Sequence, residues 1–259
     1  MAKIIDDYIN RDDWRVLENA NTGYSFSGLK SYIASSCLAK DSLSKLPAKI
    51  RDAHKVGKIH IHDLDGGIGI PYCYGADLQQ LMLEGLKNPI GSNSLPAKHF
   101  DTMVDHIVNY IYISQSEFNG AQAFSNVDTL LAPFVHGESY KFVKQQMQRL
   151  IYNISYPLRS AFQTPFFNIS FDLIPPKHMK NEPVVIGGKV HESIVYGDMQ
   201  KEMDMINKAF LELMFHGDSQ GKPFTFPIPT YGVTEELLEK NDDVTRLLYM
   251  LSSKFGNPN

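Results

Sequence analysis

Cysteine is scarce in this chain: Cys37 and Cys73 are the only two among 259 residues. Two thiols cannot build a disulfide framework, and this pair shares no CxxC-type spacing, so a reducing, cytoplasmic setting is expected. An excess of charge of one sign is also missing. With 25 Lys and Arg against 29 Asp and Glu the formal net charge is −4, which argues against the basic surface that non-specific nucleic-acid binding requires. No stretch approaches the roughly 20 apolar residues of a membrane span. The opening MAKIIDDYINRDDW places acids before any apolar run, unlike a secretory signal. Neither GxGxxG nor GxxxxGK[ST] occurs, so a phosphate-cradling loop of either type is unsupported. No period of repeat-protein length and no low-complexity segment is present.

What is there suffices for a sizeable core, since 43% of the residues are hydrophobic. Residues 31–56 carry apolar side chains at helical spacing up to Val56-Gly57. Lys58 to His62 reads as a short strand with Ile59 and Ile61 on one face and His60 and His62 on the other. Gly66, Gly67, Gly69 and Pro71 then make an irregular loop. Helices are expected over 77–86, 97–118, 139–153 and 198–215, the last closed by Gly217. Phe166–Asp172 (FFNISFD) is the strongest strand signal. Phe224–Ile228 is a second, placed at an edge by Pro227. Gly187-Gly188 suggests a hairpin turn, and Thr234-Glu235-Glu236 starts a helix with acids in its first turn. Strands separated by long helices are the pattern of a parallel α/β sheet or barrel.

The densest reactive cluster is His60, His62, Asp63, Asp65 and Cys73. Imidazoles two apart on a strand share a face, so His60, His62 and Asp63 could hold a metal and make a hydrolase, given a distant third ligand. Alternatively the histidines bond loop carbonyls, while Asp63 and Asp65 cap the turn. Cys73, just ahead of a helix, could be a nucleophile with a stabilised thiolate. Cys37 reads as a small packed residue. Asparagines recur beside aromatics in Glu18–Asn21, Ala123–Asp128 and Phe167–Ser170. They either satisfy the backbone or read a polar ligand that carries few charges.

Taken together, seven segments resemble the N-terminal part of the anaerobic, class III ribonucleoside-triphosphate reductases, a glycyl-radical enzyme family. They are ENANTGYSFSGL (18–29), HIHDLD (60–65), YCYGADL (72–78), GAQAFSNVD (120–128), TPFFNISFD (164–172), GKPFTFPIPTYG (221–232) and SSKFGNPN (252–259). They occur in family order along nearly the whole chain. The resemblance implies an α/β fold that is the N-terminal portion of a ten-stranded barrel, with a helical segment at 1–57 leading into barrel residues 58–259. It implies an enzyme that reduces ribonucleoside triphosphates without oxygen. A glycyl radical passes to a cysteine on a loop inside the barrel, the resulting thiyl takes the ribose 3′ hydrogen, and the 2′ hydroxyl leaves as water. Cys73 falls at the position of a second cysteine that supports the reduction. His60 matches an active-site histidine near the ribose or its reductant.

The resemblance also implies partners: a homodimer, a dNTP or ATP effector, and a radical-SAM activating enzyme. Helices 97–118 and 139–153 would belong to the half of the barrel that forms the dimer and effector interface. They could equally be ordinary outer-layer helices. Two departures stand out. The loop between Asp63 and Cys73 is shorter than in phage-type members, and Tyr72 replaces an asparagine beside the cysteine, so substrate contacts and the electron donor (formate or a thiol protein) are open. The radical cysteine loop, the four-cysteine zinc site and the glycyl-radical loop are all expected beyond residue 259. These 259 residues alone are therefore expected to be inactive and, with barrel edges exposed, poorly soluble. A separate dimerisation or regulatory module is the remaining reading.

Overall fold

The computed structural model describes residues 2–13, 16, 24–159 and 163–257. The Glu18–Asn21 segment lies outside the described residues. Two compact units are formed, one of residues 1–74, 114–121 and 157–165, the other of 75–113, 122–156 and 166–259.

The first unit is mostly helical. Helix α1 (Ala2–Ile9) is followed by α2 (Phe26–Lys45), whose N-cap Ser25 accepts from the Gly28 amide, and by α3 (Ala48–Lys55). The single helical run expected over 31–56 is thus broken at Leu46-Pro47. Proline has no N–H to donate and its ring displaces the preceding turn, whereas it is tolerated as the cap of the next helix. Cys37 is exposed on α2, and the buried residue is its neighbour Ser36. That corrects the reading of Cys37 as packed.

The expected strand at Lys58–His62 does not form; the backbone there turns. Its amides bond backwards instead. The Ile59 amide donates to the Ala53 carbonyl and the Ile61 amide to Nδ1 of His54, so the donors that one edge of a strand here would offer a partner are already used. Asp63 adopts a left-handed φ of 51° and begins a short 3₁₀ turn, Leu64–Gly66, without capping it through its side chain.

The second unit carries the main sheet. Strands β1 (Tyr74–Ala76), β2 (Gln122–Phe124), β3 (Phe167–Phe171) and β6 (Ile228–Tyr231) lie in the order β1-β2-β3-β6. The β2–β3 and β3–β6 pairs are parallel, in registers such as Phe124↔Ile169 and Ser170↔Thr230. Strand β6 begins where the expected 224–228 strand ends. A two-stranded antiparallel hairpin, β4 (Pro183–Ile186) and β5 (Lys189–Val195), turns at Gly187-Gly188 as expected; both glycines have positive φ, which a side chain would oppose.

Period-two patterning gives the sheet two unlike faces. Phe124, Phe167, Ile169, Phe171 and Tyr231 are buried. Ala123, Asn168, Ser170 and Thr230 on the other face are only half-buried. Helices α4 (Leu78–Glu84), α5 (Phe100–Ser114), α6 (Val127–Leu131), α7 (Tyr140–Ile154), α8 (Gln200–His216), α9 (Glu235–Glu239) and α10 (Asp243–Phe255) complete the unit. Stripes such as Met103/Ile107/Ile111 of α5 and Met203/Ile206/Phe210 of α8 follow helical spacing into one core with the apolar sheet face. The Phe171 ring lies 4.6 Å from that of Phe210. No described helix is long and apolar enough to cross a membrane.

Candidate active site

Cys73 immediately precedes β1 and is exposed. Residues 71–74 are bound by backbone hydrogen bonds to 119–121: Asn119 N–H donates to the Pro71 carbonyl, Gly120 N–H to that of Tyr72, and Tyr74 N–H to that of Ala121. Gly120 is required by this approach. A Cβ there would lie 2.6 Å from Cys73 Sγ and 2.8 Å from the Tyr72 carbonyl oxygen, closer than van der Waals contact allows. The thiol thus rests on a bare stretch of backbone.

Arg159 also holds that backbone. Its Nη2 donates to the carbonyls of Phe118 (2.6 Å) and Asn119 (3.1 Å). Burial lowers the Arg159 pKa while the Asp63 carboxylate raises it; a guanidinium stays cationic under such opposed effects. The Tyr74 and Phe118 rings stack with centroids 5.3 Å apart.

The histidines form a separate string. Ring centroids run His54 to His60 at 5.8 Å, His60 to His62 at 6.2 Å and His62 to Tyr72 at 5.7 Å. His62 Nε2 is 3.2 Å from the Tyr72 hydroxyl and 3.2 Å from Asp63 Oδ2. Cys73 and His60 therefore occupy the same unit, linked through His62 and Tyr72. Among the described residues no hydrogen bond or ring contact joins them directly. The hydrolase reading needed a further, distant ligand beside His60, His62 and Asp63. Among the described residues no group of three or more His, Cys, Asp or Glu side chains converges as a metal would require.

A second polar cluster, in the other unit, occupies the carboxyl ends of β2 and β3, where parallel α/β sheets place ligands. Asp128, at the start of α6, is fully buried. Its carboxylate accepts from the backbone amides of Asp172 (2.8 Å) and Leu173 (2.8 Å) and from Asn207 Nδ2 of α8 (2.7 Å). Asp172 in turn accepts from Asn126 Nδ2 at 3.0 Å to each oxygen and from the Thr129 hydroxyl at 2.5 Å. Asn126 and Leu173 both have left-handed φ, 56° and 62°. Burial, then the neighbouring Asp172 charge, pushes the Asp128 pKa up to about 6, against the lowering effect of its hydrogen bonds. Burial raises that of Asp172 as well, opposed by Thr129, Asn126 and His178.

Sequence reasoning marked Asn126 and Asn168 as amide-rich positions but missed the two aspartates. The available signal was an acid at 128 just ahead of the apolar run Leu130–Val135, where a buried carboxylate survives only with dedicated donors. Asn168 on β3 reaches across the half-buried sheet face to Thr230 of β6 (2.8 Å).

Neighbouring parallel strands β2, β3 and β6, alternating with helices and carrying a buried carboxylate pair behind the ends of β2 and β3, define an α/β fold of the kind that binds ligands at its strand ends. The chain belongs to the anaerobic ribonucleoside-triphosphate reductase family, whose sequence profile matches residues 18–259. It is 25% identical over 170 residues to the anaerobic ribonucleoside-triphosphate reductase of Enterobacteria phage T4, an alignment covering 55% of this chain and 27% of the phage protein. To the enzyme of Haemophilus influenzae it is 26% identical over 154 residues, covering 57% of this chain and 22% of that one. The anaerobic ribonucleotide reductase of Thermotoga maritima, solved in complex with dATP and CTP, has the same fold at a TM-score of 0.68 and 17% identity, over 97% of this chain and 44% of that one. The alignments thus span about a quarter of the two sequence relatives and under half of the solved chain.

Proposed function

We propose that this chain is the N-terminal part of the catalytic machinery of an anaerobic ribonucleoside-triphosphate reductase, making deoxyribonucleotides for DNA synthesis in the cytoplasm. The observation that carries the reading is the family match over 18–259 combined with a cysteine seated on Gly120 at the start of β1. In this reading residues 1–57 lead into 58–259, the first part of a ten-stranded barrel. The half-buried face of Asn168, Ser170 and Thr230 lines its interior. Cys73 is the thiol that supports reduction as the substrate 2′ hydroxyl leaves as water, the remaining reducing equivalent coming from formate or a thiol protein. His60 stands near the ribose or that reductant.

The radical that starts the reaction would come from a glycyl loop, installed by a radical-SAM activating enzyme, on polypeptide beyond residue 259. The coverage of the relatives supports that placement. The structural zinc belongs beyond residue 259 as well: Cys37 and Cys73 lie on separate elements and do not make a four-thiolate site. A homodimer with a dNTP or ATP effector completes the proposal. The effector is supported by the Thermotoga maritima enzyme, solved with dATP bound in the specificity site.

Anaerobic turnover of the activated reductase carrying this chain tests the assignment. Cys73→Ser should abolish nucleotide reduction while nucleotide binding persists. Unchanged turnover would remove Cys73 from the reaction, and no turnover in the unsubstituted enzyme would remove the reductase reading itself.

A further inference from the structure

Asn126 gives its side-chain nitrogen to both oxygens of Asp172, at 3.0 Å each. An ionised carboxylate can only accept, so the NH₂ of the amide must face Asp172 and its carbonyl oxygen must face away. Asn126 also lines a cavity of about 520 Å³ with Asp77, Gln79, Ser125, His178 and Glu182. Asp172 does not line it, so Asn126 stands between the carboxylate and the cavity in the chain of contacts. Among the described lining residues there is no Lys or Arg, which disfavours a phosphate chain and suits the sugar–base part of a ligand.

We propose that Asp172 is a positioning residue that holds the Asn126 amide with its carbonyl oxygen in this cavity, where it accepts a hydrogen bond from a hydroxyl or amine of the ribonucleotide. The proposal rests on the reductase reading above. The support beneath it is rigid. Thr129 holds one oxygen of Asp172, and buried Asp128 holds the backbone amides of Asp172 and Leu173. The left-handed backbone at Asn126 and Leu173 is fixed by these bonds rather than by glycine. Protonation of Asp172 would let it donate, and the amide could then turn over. The titratable groups that face the pair are Asp128 and His178 around Asp172, Tyr231 against Asp128, and Asp77 and Glu182 in the cavity.

Steady-state kinetics of the activated reductase carrying Asn126→Ala or Asp172→Asn test this, with CTP and UTP as substrates. Loss of one hydrogen bond should raise KM by about three- to tenfold, more than kcat falls, in both variants. The unsubstituted enzyme should show KM rising toward acid pH, and Asp172→Asn should lack that rise. A larger effect on CTP than on UTP assigns the donor to the base amine; equal effects assign it to a ribose hydroxyl. An unchanged KM in Asn126→Ala overturns the proposal whatever Asp172→Asn does, because that variant removes the proposed acceptor itself. Absence of turnover in the unsubstituted enzyme would instead count against the reductase reading.

Discussion

Replacing Asp128 by Asn changes one atom and should produce a pH-dependent loss of stability. The carboxylate serves three donors: two backbone amides and Asn207 Nδ2. Asparagine keeps one carbonyl oxygen, but its NH₂ must face at least one of those N–H groups, leaving one or two buried donors unmet. At about 1–3 kcal/mol each, the expected penalty is about 1–6 kcal/mol. Titration works against that gap. Burial and the Asp172 charge hold the folded-state pKa at about 6, whereas an unfolded aspartate titrates near 4. Between those values the folded protein keeps a proton that the unfolded chain has released, so the aspartate protein loses stability as pH rises from about 4 through about 6. The loss over that window is about 3 kcal/mol. Asparagine cannot titrate, and Asp172, whose pKa is raised in the same direction, is present in both proteins. Urea unfolding followed by circular dichroism should therefore show a gap that is largest at about pH 4 and narrows as pH rises through about 6. A gap that stayed constant or widened with pH would refute the account of Asp128 as a desolvated carboxylate.

Two further substitutions probe the scaffold. Gly120→Ala forces a Cβ to within 2.6 Å of Cys73 Sγ and 2.8 Å of a backbone oxygen; it should cost about 1–3 kcal/mol and change the rate at which Cys73 is alkylated in a Cys37→Ser background. An unchanged alkylation rate would mean that the 119–121 segment does not seat the thiol. Ser139→Ala removes the acceptor for the Phe142 amide (3.3 Å) at the start of α7, with an expected loss of about 1 kcal/mol in chemical denaturation.

Where a segment had length and a single period, its conformation was legible from its residues. Five alternating residues at 167–171 form β3, and long stripes at 100–114, 140–154 and 200–216 form α5, α7 and α8. Strands β1 and β2 are three residues each, too short to show an alternation, and they exist because neighbouring strands supply their partners. Lys58–His62 had the right alternation but found its hydrogen-bond acceptors in the preceding helix, which a period cannot reveal. Pro47 is the clearest local mark of the break between α2 and α3.

The same division runs through the two polar clusters. Cys73 and His60 stand out by type, yet what seats the thiol is the absence of a side chain at Gly120, more than forty residues away. Asp128 and Asp172 stand out less, because a single aspartate at a helix start or a strand end reads as an ordinary cap or turn. Their role comes from burial and from three donors on two other elements, information that exists only once β3 and α8 are packed. The motif GAQAFSNVD therefore contains two functions that no local pattern separates: Gly120 makes room for the thiol, and Asp128 fixes the end of the neighbouring strand. Substitutions at the two positions should accordingly behave as independent, with additive effects on stability.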